Sequence, residues 1–327
     1  MYRKRLTEVD CLKGIGMLLV MLQHCISVAG GVESIPSVLI LSFHMPLFFF
    51  ASGLLYKPKK VTDLLAGRMA SLLGPVVLYS LLNVFLRIIL RLINHEDLYS
   101  VFAFAGFWFL LSLLFITVMQ YGFQKLLLDQ SNNRRILIIA FAVLSLFIGI
   151  LYSQSIKGKE VTIATGLVGW GFYLLGVLAG EYLPFLSSKT ETKKGRTISA
   201  ILGIFLMLIL LFTCQHNQPV FMYISEYGNA LFSLNASIGI VGVCLIAWAL
   251  KHNSLIEFFG KNSLVILITH FPVHHVCVKV SSILFNNLWW VSILGFISTC
   301  LIEYLIVFLI NRYLPILNGK IILEKEN

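Results

Sequence analysis

The sequence predicts an all-α polytopic integral membrane protein with about ten transmembrane helices and both termini cytoplasmic. Three observations carry this reading. Of the 327 residues, 58% are hydrophobic and only 12% are charged, where a globular domain carries about 25% charged residues. Apolar stretches of roughly 20 residues, the length a helix needs to cross the hydrocarbon core, recur from end to end. The basic residues gather in alternate breaks between those stretches.

The candidate spans run near residues 10–30, 35–56, 69–93, 104–128, 135–152, 163–186, 197–215, 231–250, 263–285 and 288–313. When tails and loops are assigned alternately to two sides, 20 of the 25 Lys and Arg residues share one side. Lys157 and Lys159 fall on the other, and Arg87, Arg91 and Lys279 lie within spans or at their ends. The positive-inside rule makes the basic side cytoplasmic. The net charge of +10 is then a topology signal and calls for no nucleic acid as partner. The chain is expected to be a multi-pass protein of the inner (plasma) membrane, with membrane lipids as its surroundings.

Residues 1–327 read as a single transmembrane domain, since the longest hydrophilic stretch is "SSKTETKKGR". The first span does not read as a cleaved signal peptide, because no small-residue cleavage site follows a short apolar core. Cys11, Cys25, Cys214, Cys244, Cys277 and Cys300 fall in or beside spans without a CxxC pair. They read as small apolar packing residues, with no metal implied.

Function must therefore reside in polar groups inside the bilayer or at its edge, where they are costly. In "DCLKGIGMLLVMLQHC", the 11-residue step from Lys13 to His24 turns a helix through about three full turns plus 20° and rises about 16 Å. The two side chains share a face, Lys13 at the cytoplasmic boundary and His24 past mid-membrane. One reading is an elongated ligand, anionic at its cytoplasmic end and reactive deeper in. The other is a Lys reaching lipid phosphates and a His bonded to a neighbouring helix.

The second span, with "SFHMPLFFFASGLLY", enters from outside and returns His44 to nearly the depth of His24, so that two imidazoles can meet. Pro46 is expected to open the backbone hydrogen bonding near the middle of that helix. Ser52 and Gly53 read either as small residues for close helix contact or as a serine that supports a site.

These two stretches together closely resemble the opening of the acyltransferase-3 family, bacterial ten-span enzymes that move acyl groups onto hydroxyls of surface carbohydrates. "GRMASLLGPVVLYSLL", "FWFLLSLL" and "FGKNSLVILITHFPV" extend the resemblance in order to about residue 275. It implies that Lys13 and His24 are the family's first-span basic residue and histidine, with Lys here where many members have Arg. It further implies acetyl-CoA as acyl donor, with phosphates met by Lys13 and Arg68, and a carbohydrate acceptor, either a surface polysaccharide or a lipid-linked sugar. The "LKGIG" form is similar to the fucose 4-O-acetylase-like branch. Catalysis is expected at His24, with His44 as the second imidazole, and Trp108 and His270 match motif positions. Asp10 reads as a cap of the first helix or as a donor contact.

His274 and His275 have no motif counterpart. Arg87 and Arg91 are expected to reach head groups or an anionic glycan, and Glu181 and Glu303 to be buried partners for such charges. A rival class is an exporter or flippase of lipid-linked glycans without acyl transfer. A glycan polymerase would present a large Arg-rich outer loop, and "HNQPVFMYISEYGN" has no Arg.

Overall fold

The computed structural model describes residues 6–58, 60, 70–92, 107–156, 161–217 and 220–314. Ten helices among them are long and apolar enough to cross a membrane. The one extended pairing among the described residues is an isolated bridge between Phe221 and Glu226.

Helix α1, Thr7–Val28, is unbroken and carries both Lys13 and His24. It begins at Thr7, so Asp10 lies within the first turn and does not cap the helix. Its carboxylate still suits the positive end of the helix dipole. Beyond α1, Gly30 takes φ +95, a left-handed conformation that glycine adopts without steric cost.

The second span is two helices, α2 (Ile35–Leu41) and α3 (His44–Leu54). The expected opening at Pro46 lies earlier, at Ser42–Phe43, because Pro46 sits in the first turn of α3, where a missing N–H costs nothing. Two carbonyls near the end of α2 accept side chains in addition to backbone N–H groups. Val38 O accepts the Ser42 hydroxyl at 2.9 Å, and Ile40 O accepts the His44 Nδ1 hydrogen at 2.8 Å.

Next come α4 (Ala70–Leu92), on which Arg87 and Arg91 are exposed, and α5 (Phe107–Phe123), which a π-helical turn at Gln124–Leu128 prolongs. They are followed by α6 (Arg134–Ile156), α7 (Val161–Gly180), α8 (Leu183–Lys189) and α9 (Lys193–Thr213). Thr192 caps α9, its hydroxyl accepting the Gly195 N–H at 3.0 Å. The chain closes with α10 (Leu231–Leu250), α11 (Ser254–Lys261), α12 (Ser263–Leu284) and α13 (Leu288–Tyr313). Asn287 caps α13 by accepting the N–H groups of Trp289 and Trp290.

These helices group into two compact units. One is built from residues up to Val20, from Glu33–Pro58 and from Leu111–Lys261. Within it α3 and α7 pack backbone to backbone. A Cβ on Gly53 would strike the Tyr173 carbonyl, and one on Gly176 would strike the Phe50 carbonyl. Close approach at small residues is how helices associate where lipid offers no hydrophobic driving force.

The other unit holds Met21–Val32, the described part of residues 59–110, and the chain from Asn262. Here the second half of α1 packs with α12 and α13 around Cys25, Val278 and Val291, with Val28, Ala29 and Phe296 against them. All six cysteines are free, and four of them are buried.

Candidate functional site

The second unit gathers histidines from α1 and α12. The His24 ring lies 5.2 Å from that of His270 and 5.2 Å from that of His274, stacked on the latter at 27°. His270 and His274 are 5.8 Å apart, one helical turn from each other on α12, which places both on one face. Phe271 meets the His24 ring edge-on at 6.4 Å. His270 is 3% exposed and His274 0%, whereas His24 is half-buried.

Backbone bonds fix the tautomers on α12. His270 Nδ1 lies 2.7 Å from Ile266 O, and His274 Nδ1 lies 2.8 Å from His270 O. A carbonyl can only accept, so each Nδ1 carries the hydrogen and each neutral ring presents a lone pair at Nε2. Both Nε2 atoms are buried without a hydrogen-bond partner among the described residues. A half-buried imidazole beside two preset lone-pair donors is equipment for proton transfer or nucleophilic attack.

The surroundings are equally polar for a membrane interior. The Thr269 hydroxyl lies 2.8 Å from Glu303 Oε2 and 2.9 Å from Val265 O. Glu303 is fully buried, and its Oε1 has no partner among the described residues. Its neighbour is thus a hydroxyl and not the Arg that was expected. Glu181 departs from expectation too: its carboxylate is 42% exposed and bonds Arg135 at 2.9 Å. Thr299 donates to Gly295 O at 2.7 Å and meets the Cys25 thiol at 3.8 Å. No group of three or more His, Cys, Asp or Glu among the described residues is placed to hold a metal ion.

In the first unit, α11 clasps the start of α1. A Cβ on Gly14 would overlap the Ile256 carbonyl, and one on Gly260 would overlap the Asp10 carbonyl. The Thr7 hydroxyl donates to Lys251 O at 3.3 Å. Glu257, 1% exposed at its side chain, accepts from Lys261 Nζ at 2.6 Å and pairs with His252. Burial alone works against its ionisation, but the bonds from Lys261 and His252 outweigh it and hold the carboxyl below its usual range. This clasp braces the turns that carry Asp10, which is buried, and Lys13, which is half-buried.

His44 is buried at the start of α3 in the first unit, its Nδ1 committed to Ile40 O. The Ser52 hydroxyl donates back to Phe48 O at 2.9 Å within the same helix. Trp108 is half-buried with its ring edge-on to Phe109. Arg68 lies outside the described residues. His274 is the group that motif reasoning passed over. Its i, i+4 spacing from His270 was the available signal.

No curated protein and no solved structure matches the chain. A family model does, the acyltransferase domain of the Acyl_transf_3 family, over residues 6–308. It covers α1, α12 and most of α13, and so every histidine of the cluster, which makes the chain a member of the acyltransferase-3 family of membrane acyltransferases.

Proposed function

We propose that the protein is an O-acetyltransferase that moves acetyl from acetyl-CoA, on the cytoplasmic side, to a hydroxyl of a cell-surface or lipid-linked carbohydrate. The observation that carries this reading is the half-buried imidazole of His24 beside two buried imidazoles, in a chain of acyltransferase-3 family membership. The "LKGIG" form of the first span favours an acceptor of the fucose type.

Donor phosphates would meet Lys13 and Arg68, with Asp10 beside them, and the pantetheine arm would run along α1 toward His24. His24, as neutral imidazole, removes the hydroxyl proton as the oxygen attacks the thioester carbonyl carbon. The C–O bond forms, the C–S bond breaks, and the proton on His24 passes to the departing thiolate, which leaves as free coenzyme A. The protein's contribution is proximity and polar groups held in buried surroundings, where small charge shifts count heavily.

The test uses the purified full chain in lipid. Acetyl-CoA is titrated, and thiol release is followed with and without added glycan. Binding and glycan-dependent thiol release support the reading, whereas an exporter needs neither. Reporter fusions near residues 192 and 222 should fall on the cytoplasmic and outer sides, respectively; the reverse would overturn the donor-side assignment.

A further inference from the structure

His270 and His274, in the neutral form, leave identical open positions among the described residues. In each, Nδ1–H is spent on a backbone carbonyl, and Nε2 is an acceptor buried without a partner among the described residues. Two acceptors cannot satisfy each other. Leaving such an atom unsatisfied costs on the order of 1–3 kcal/mol, and in a membrane interior no bulk water repays it. Each open atom therefore calls for a hydrogen donor from a bound molecule. Both belong to rings within 5.2 Å of the His24 ring, so the donor groups must stand beside the group that His24 deprotonates. One hydroxyl has one hydrogen and cannot serve His24 and an α12 histidine together.

We infer that His270 and His274 form the acceptor subsite, each accepting a hydrogen bond through Nε2 from a hydroxyl that flanks the reacting one. The ligand class follows: a polyhydroxylated acceptor such as a pyranose, whose neighbouring hydroxyls lie on a rigid ring, and not a simple alcohol. Phe271, edge-on to His24, supplies an apolar wall for the carbon face of such a ring. The inference rests on the O-acetyltransferase reading above and adds to it the residues that select the acceptor.

The probes are methyl fucoside as polyol and cyclohexanol as its single-hydroxyl counterpart, each supplied with acetyl-CoA to the full chain in lipid. Wild type should acetylate the fucoside in preference to cyclohexanol. His270→Phe and His274→Phe keep the ring packing but lose the acceptor atom. Each should raise KM for the fucoside about tenfold, the value of one lost hydrogen bond of about 1.4 kcal/mol, with acetyl-CoA affinity unchanged. His274→Gln, whose amide oxygen reaches about as far as Nε2, should recover most of the loss.

Unchanged fucoside KM in both Phe variants would overturn the inference while leaving the reaction intact. So would equal use of the two probes by wild type, or a Gln variant as impaired as Phe. Failure of wild type to release thiol from acetyl-CoA with either probe would instead remove the underlying reading, and the inference with it.

Discussion

His24 and His274 stack with ring centroids 5.2 Å apart and planes inclined at 27°, although they come from opposite ends of the chain. The pairing is made by α1 and α12, which share a core with α13 around Cys25, Val278 and Val291. The contact sets a half-buried imidazole against a fully buried one. His24→Ala should abolish acetyl transfer, a loss of at least a hundredfold if the ring is the general base, while the protein still accumulates in the membrane. Acetylated glycan from cells expressing the variant, measured against protein level, checks this. Wild-type acetylation would take His24 out of the chemistry and leave His44 as the candidate.

The clasp between α11 and α1 makes a steric prediction. Gly14→Ala places a methyl group on the Ile256 carbonyl, and Gly260→Ala places one on the Asp10 carbonyl. Both obstacles are backbone, which cannot rotate away. Each substitution should destabilise the protein by about 1–3 kcal/mol and lower its thermal midpoint. Gly74→Ala and Gly122→Ala meet no atom within 4 Å and should leave the midpoint unchanged or slightly raised. Equal midpoints across all four would show that α11 does not rest on α1 as closely as described.

The spans were legible because hydropathy and length are one-dimensional signals. The helices at Leu231–Leu250 and Leu288–Tyr313 begin and end where the apolar runs do. The break at Ser42–Phe43 was not legible, since it depends on the Ser42 hydroxyl and the His44 ring finding carbonyls one turn back. Helix α11 was passed over because eight amphipathic residues do not register in a search for 20 apolar ones. In the site, Lys13 and His24 stood out through spacing on one helix. The choice of α12 as the partner of His24 required tertiary contact, which a lone His on an apolar face does not reveal. The same holds for Glu303, whose neighbour Thr269 is uncharged and carries no signal in sequence.

The Glu257 carboxylate makes the clasp pH-dependent, and the sign is fixed. Its folded-state value lies below the usual carboxylate range because the bonds from Lys261 and His252 outweigh burial. A group of this kind stabilises fully above its unfolded value, near 4.3, and loses that contribution as pH falls through the lower folded value. Glu257→Gln should cost on the order of 1.5–3 kcal/mol at pH 7, where bonds to a charged group are lost. The difference in thermal midpoint between wild type and Glu257→Gln should shrink as pH falls below about pH 4. A difference that grows as pH falls below about pH 4 would contradict the depressed value.

Lys13 serves the donor in the reading above, and its place on the chain argues for that role. It lies in the second turn of α1, half-buried, on turns braced by α11 through Gly14 and Gly260. A residue that only reached for lipid phosphates would need no such bracing, because a flexible stem does that work from any surface position. Losing one charge-assisted contact to a phosphate costs on the order of 1.5–3 kcal/mol, or roughly ten- to a hundredfold in affinity. Lys13→Ala and Arg68→Ala should each weaken acetyl-CoA binding by that factor and leave acceptor KM unchanged. Lys13→Arg should bind at least as well as wild type, since a guanidinium can engage a phosphate through two parallel bonds. The measurement is titration of acetyl-CoA against the purified variants, with acceptor KM taken in parallel. Unaltered donor affinity in both Ala variants would make these residues topology anchors alone, and the phosphates would then have to be met by other cations at the cytoplasmic boundary.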